Sequence, residues 1–228
     1  MATERPTIPD SVILRVLAGS RSFGLATDTS DRDIRGVFLA PPREFFSLDG
    51  PRKHVDLPEN EEFYWELQRF CALALKANPN LLECLHSQEV LHITPLGQEL
   101  LDLKEAFLSK RVYQTYLGYA QAQFRRIKNQ VDTARPAKWK HAMHLCRLLI
   151  SGRDLLATGV LRINVSEHRD QLLAIKSGSL PWTELEEWKA ELEADMEAAY
   201  QVSYLPNAPD VERVNALLIR ARLEGIQG

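Results

Sequence analysis

The pattern of apolar positions changes character once along the chain. Ser11–Leu17 reads SVILRVL, a β-branched and aliphatic run that stops at Gly19-Ser20, which predicts a buried strand entering a tight turn. A second strand, Asp33–Ala40, ends at Pro41-Pro42, which cannot continue a sheet ladder. Between the two, RSFGLATDTSD is rich in small and turn-forming residues and reads as a loop. Lys53–Leu57 and Glu61–Trp65 are each strand-like about a Pro58-Glu59-Asn60 turn and predict a third strand here. Leu67, Phe70, Cys71, Ala74 and Leu75 then recur at helical spacing until Asn78-Pro79-Asn80, because the residue before proline disfavours the α region.

From Leu81 onward alternation of period two is scarce, and the spacing predicts helices over Asn80–His86, Leu96–Lys128, Lys138–Thr158, Glu167–Lys176, Trp182–Ser203 and Pro209–Leu223. The expected class is therefore α+β, with a small mixed sheet in residues 1–77 and a larger helical bundle in 78–228. No internal repeat or low-complexity tract interrupts either part.

Composition narrows the class without naming a function. The 228 residues are 45% hydrophobic and 26% charged, which excludes collagen-like and wholly disordered chains, and the net charge of -3 leaves room only for a local basic surface. MATERPTIPD lacks a basic start and apolar core, and no stretch approaches the roughly 18 apolar residues of a membrane span, so a cytoplasmic protein with no membrane partner is expected. Cys71, Cys84 and Cys146 lie in apolar helical surroundings and read as reduced core thiols. His141-x-x-His144-x-Cys146 and Cys84-x-His86 lack the spacing of zinc motifs. Charge is segregated: Lys110, Arg111, Arg125, Arg126, Lys128, Arg135, Lys138 and Lys140 share a stretch with one acid, Asp132, whereas Glu184–Glu197 is strongly acidic around Lys189.

The sharpest chemical signal is Gly19-Ser20-Arg21-Ser22-Phe23-Gly24 followed by Asp31-x-Asp33 at the start of the next strand. The glycines permit backbone conformations and close approaches that a side chain blocks, so the turn's amides and the Ser20 hydroxyl can meet phosphate oxygens. Two carboxylates two residues apart on a strand point to one face and suit a hard divalent cation, whose absence would leave them in mutual repulsion. Taken singly, each motif has a bland reading, an ordinary hairpin turn and a solvated strand start with Arg32 as counter-charge. Their order makes that reading the weaker one.

LAGSRSFGLATDTSDRDIRGVFLAP resembles the signature of the nucleotidyltransferases of the DNA polymerase β superfamily, and within it the predicted nucleotidyltransferase group that includes RNA-ligase-associated phage proteins. The likeness continues through Trp65-Glu66-Leu67-Gln68-Arg69-Phe70, Ala77-Asn78-Pro79-Asn80-Leu81-Leu82-Glu83 and Lys140–Leu149, so it spans most of the chain. It implies a nucleotidyltransferase palm in which Asp31 and Asp33 hold two Mg²⁺ (or Mn²⁺) ions, with an NTP as substrate and Gly19, Ser20 and Arg21 at its phosphates. A third carboxylate is implied on a neighbouring strand: counting back from WELQRF favours Glu61, with Glu62 adjacent and Asp56 the competitor on strand pattern. Lys140, His144, Arg147, Ser151 and Asp154 form one polar stripe at helical spacing. Facing a cleft, Lys140 and Arg147 would bind phosphates; otherwise the stripe is a solvated face with an Arg147–Asp154 relation, and His144 is a hydrogen-bonder at the edge of the core. The expected activity is transfer of an NMP to an acceptor hydroxyl, with an RNA or other nucleic-acid end as leading partner; the alternative is a noncatalytic nucleotide- or RNA-binding module.

Overall fold

The computed structural model describes residues 8–133 and 138–227; Arg135 of the basic stretch lies outside them. The chain forms two compact units. Among the described residues, one comprises 8–22, Ala26–Phe107 and the chain from Pro209; the other comprises Phe23–Leu25 and Leu108–Ala208.

The first unit is built on a five-stranded mixed sheet of order β3-β4-β2-β1-β5. Strand β1 (Val12–Leu17) leads through a short helical turn α1 (Gly19–Ser22) to β2 (Ile34–Phe38), its antiparallel neighbour, with Leu17 opposite Ile34. After α2 (Pro42–Phe45), strand β3 (His54–Leu57) and β4 (Glu62–Glu66) form a hairpin around a 3₁₀ turn at Pro58–Asn60, and β4 lies parallel to β2. The two strand-like segments of the sequence are thus two strands. Phe38, Ala40, Val55, Leu57 and Tyr64 form a core cluster of this sheet, with Val12 and Phe45 packed against it.

Helix α3 (Leu67–Ala74) follows β4 directly because the Glu66 carboxylate accepts from the amides of Gln68 (2.7 Å) and Arg69 (3.3 Å), satisfying donors of its first turn. Helix α4 (Pro79–Leu85) is capped by Asn78, which accepts from the Asn80 amide at 3.0 Å, with Pro79 in the first turn. Asn78-Pro79-Asn80 therefore has a sufficient local role as stop and cap.

Three features depart from the sequence expectation. Strand β5 (Val90–Ile93) pairs with β1 at the sheet's edge, inside the half expected to be helical. All four of its residues are exposed, so no buried face imposed alternation on them. The helix expected over Leu96–Lys128 is divided into α5 (Pro95–Asp102), a 3₁₀ turn at Lys104–Phe107 and α6 (Arg111–Asp132), where Ala106, Phe107 and Leu108 are buried and the Ala106 carbonyl accepts from the Asp210 amide at 2.8 Å. Residues 78–107 and the last helix pack with the sheet rather than with the bundle.

The second unit contains α6, α7 (Trp139–Thr158), α8 (Arg169–Ser177) and α9 (Trp182–Val202), with α7 packed against the other three. Helix α10 (Val211–Gln227) belongs to the sheet unit, where the Arg222 guanidinium lies 4.3 Å from the Phe45 ring centre. The three cysteines are buried and free, and burial pushes each thiol up to about 12, as expected of core residues.

Candidate active site

The first half of the motif is fastened to the end of β1. The Leu17 carbonyl accepts from Ser22 Oγ (2.7 Å) and Ser87 Oγ (2.9 Å), and the Ala18 amide donates to the Asp33 carbonyl at 2.9 Å. Gly19 adopts φ +69°, and a Cβ built there would stand 2.0 Å from Asp33 Oδ2. Glycine is required twice over, for the left-handed backbone and for the carboxylate that lies against it. This packing brings the Gly-Ser turn and the Asp-x-Asp pair, separate in sequence, into one site.

The intervening loop has its own closure. Thr27 and Ser30 exchange two hydrogen bonds, Ser30 N–H to the Thr27 carbonyl (2.9 Å) and Thr27 N–H to Ser30 Oγ (2.8 Å). Arg21 donates through Nη2 to the Ser30 carbonyl (3.0 Å) and through Nε to the Asp31 carbonyl (3.3 Å). The guanidinium expected at the phosphates thus clasps the loop that carries the aspartates. Ser20 is half-buried, and its hydroxyl makes no hydrogen bond among the described residues.

Asp31 is exposed and Asp33 half-buried at the root of β2. Arg35, two residues on and hence on the same side of the strand, donates from Nη2 to Asp33 Oδ1 at 3.4 Å and from Nη1 to the carbonyls of Ile34 (2.9 Å) and Glu61 (3.2 Å). Sequence reasoning passed over Arg35; its spacing from Asp33 was the available signal.

The three candidates for a further carboxylate separate by register. Glu62 faces Ile34 in the β2–β4 ladder, but its carboxylate is buried and bonded to Arg15 Nη2 (3.1 Å) and to the Tyr64 hydroxyl. Burial first, and then the bond to Glu62, raise the Tyr64 phenol far above its ordinary range, so it stays a donor. Glu62 is thus committed to a structural network. Asp56 is exposed on the edge strand β3 opposite Phe63, with β4 between it and β2. Glu61 immediately precedes β4, and its carbonyl accepts from the Ile34 amide at 3.0 Å, which places its backbone at the root of β2 beside Asp33. It adopts φ 56°, ψ 34°, a conformation uncommon for a residue with a side chain.

The chemistry of the two aspartates, hard oxygen donors of which Asp33 lies against Gly19, fits Mg²⁺ or Mn²⁺. Among the described residues, no three His, Cys, Asp or Glu side chains are gathered as a ligand set.

The remaining residues of the sequence reading lie in the helical unit. Lys140 is exposed, whereas Arg147 and Ser151 are buried and His144 and Asp154 half-buried, so the polar stripe is not a solvated face. The Arg147 guanidinium lies 3.7 Å from the ring centre of Phe23, whose centroid is 6.2 Å from the His144 imidazole. Asp154 pairs with the neighbouring Arg153 at 2.8 Å. Burial, with Arg147 and Lys140 adding to it, lowers His144 to about 3 and keeps the imidazole neutral. Phe23–Leu25, the middle of the glycine motif, are held in this unit: the Phe23 carbonyl accepts from the Val165 amide (3.1 Å) and the Gly24 carbonyl from Arg169. Gly24, at φ +71°, passes so close to Asn164 that a Cβ would stand 2.7 Å from its Oδ1.

No described helix is long and apolar enough to cross a membrane. The chain is 28% identical over 138 residues to the uncharacterized protein YcgL of Bacillus subtilis (strain 168), an alignment covering 55% of this chain and 53% of that protein. The chain thus spans about half the length of this curated relative. No solved structure matches it. The model of the RNA repair pathway DNA polymerase beta family matches residues 2–220, nearly the whole sequence: the chain belongs to that family.

Proposed function

We propose that the protein is a metal-dependent nucleotidyltransferase that moves an NMP from an NTP to a hydroxyl at an RNA end. The family's place in RNA repair supports the reaction class, and the observation that carries the reading is the Asp33 carboxylate lying against Gly19. In this reading the acceptor oxygen bonds to the α-phosphorus, the bond from that phosphorus to the β-phosphate oxygen breaks, pyrophosphate leaves, and the hydroxyl proton is lost to solvent. Bound Mg²⁺ or Mn²⁺ would neutralise phosphate charge and favour the ionised acceptor. Asp31 and Asp33 are its holders, and Arg35 fixes the Asp33 carboxylate. Glu61 is the third oxygen donor on the strength of its backbone position. Gly19 and the Ser20 hydroxyl meet the phosphate tail, and Arg21 keeps the aspartate loop closed.

The test is transfer from each α-labelled NTP to short RNA, DNA and protein, with Mg²⁺ or Mn²⁺, beside the Asp31→Asn/Asp33→Asn variant. Label in RNA, reduced about 10³-fold or more in the variant, is the expected result. A second reading, a noncatalytic module that binds nucleotide, draws on the lack of a gathered third carboxylate among the described residues. Metal-dependent NTP binding without transfer to any acceptor would favour it.

A further inference from the structure

The helical unit carries a second concave site. A cavity of about 380 Å³ opens between α6 and α9, lined by Gln121, Phe124, Arg125, Lys128, Trp182, Glu186 and Lys189. The α6 residues fall at positions i, i+3, i+4 and i+7, and those of α9 at i, i+4 and i+7, so each helix presents one face. That lining alternates two chemistries. Half-buried Trp182, its ring centre 6.2 Å from that of Trp139, supplies aromatic surface, and buried Phe124 forms part of the floor. Arg125, Lys128 and Lys189 supply three cations against the single carboxylate of Glu186.

The cations are not equally committed. Lys189 is bonded to Glu193 at 2.7 Å and lies 5.5 Å from the Phe124 ring centre, which makes it part of the wall. Exposed Lys128 pairs with half-buried Glu186 at 2.7 Å, a contact that is weak in water and readily exchanged. Arg125 is exposed and has no ion pair among the described residues. A structural purpose would not need such a hollow to stay open, cationic and aromatic at once. A nucleotide uses all three properties: its base stacks on an indole, its phosphates pair with Arg and Lys, and its amino hydrogens can be accepted by a carboxylate such as Glu186.

We infer that the α6–α9 cavity is a binding site for single-stranded RNA, with a base on Trp182 and the adjoining phosphates on Arg125 and Lys128. A free NTP shares this chemistry, but the surface favours a strand: Arg111, Arg125, Arg126 and Lys128 lie on α6 with Asp132 as its only acid, a basic run longer than one nucleotide. The inference rests on RNA being the acceptor of the proposed reaction. It adds a second place at which the strand is held.

The test is fluorescence anisotropy of a labelled ten-nucleotide RNA on the full chain, repeated across salt concentrations and with unlabelled NTP as competitor. Arg125→Glu/Lys128→Glu is expected to weaken RNA binding more than tenfold and to lower the slope of log affinity against log salt by about 1.4, the single-strand value for two phosphate contacts. Trp182→Leu is expected to weaken binding about tenfold while leaving the salt slope unchanged. Metal-dependent NTP binding should persist in both, and RNA binding should persist in Asp31→Asn/Asp33→Asn, so failure of transfer alone does not decide this inference. RNA affinity unchanged in folded Arg125→Glu/Lys128→Glu, or displacement of RNA by NTP at equal concentration, would overturn it. Circular dichroism and thermal melting establish that each variant is folded, and Arg125→Gln serves as a milder second variant.

Discussion

Of the two adjacent glutamates at the start of β4, Glu62 is buried and bonded to Arg15 and Tyr64, whereas Glu61 is half-buried, left-handed and joined through its carbonyl to Ile34 and Arg35. One residue of register separates a carboxylate bonded within the sheet from a residue whose backbone is held at the root of the Asp33 strand. The comparison teaches that a carboxylate's availability for chemistry is set by its partners. The Glu62 charge is already matched by Arg15, so diverting it to a cation would leave a partly buried guanidinium and a phenol without their acceptor.

Substituting the two glutamates in turn gives the largest contrast. Glu61→Gln is expected to lower nucleotidyl transfer about 10²-fold, as loss of one charge-stabilising group does. Glu62→Gln is expected to reverse the pattern, costing about 1–3 kcal/mol of stability while the transfer rate of the folded protein holds. Rates and urea melts on the same preparations check both, and loss of activity without loss of stability in Glu62→Gln would break the contrast.

A smaller effect sharpens the same site from its other side. Gly19→Ala is expected to cost about 1–2 kcal/mol for the left-handed backbone alone. Because its Cβ also displaces the Asp33 carboxylate, metal-dependent NTP binding should weaken beyond what the stability loss explains, measurable by calorimetry at a temperature where the variant is fully folded.

The contrast between exposed and buried charge extends to the helical unit in its dependence on pH. His144 titrates at about 3 in the fold against an ordinary 6.5, so between these values the unfolded chain binds a proton that the folded chain refuses. Its contribution is present above pH 6.5 and is lost as pH falls toward 3, with a slope of at most about 1.4 kcal/mol per pH unit. Urea melts at pH 7.5 and 5.5 should show the loss, and His144→Gln should flatten it.

The sequence was most legible where function and backbone geometry coincide. Gly19, Asp31 and Asp33 were found because a turn, a loop and an alternating strand announce themselves locally, and Asn78-Pro79-Asn80 announced its cap in the same way. Strand β5 was illegible because an exposed edge strand needs no alternation, and the division of the helix over Leu96–Lys128 because its cause lies at Asp210, more than a hundred residues away. Arg21 and Arg147 were read as candidate phosphate-binding cations, but a guanidinium reads the same in sequence whether it meets phosphate, a carbonyl or a phenyl ring.

By itself the sequence determined the α+β class, the first two strands with the Gly-Ser turn and Asp-x-Asp motif, and the family, since each depends on residue types at short spacing. The tertiary structure alone decided that Asp33 lies against Gly19, that Glu62 is spent on Arg15 and Tyr64, that Arg147 stacks on Phe23, and that α6 and α9 enclose a cationic hollow. The physical reason is common to all four: each is a contact between segments distant in sequence, and only packing determines which partner a charge finds.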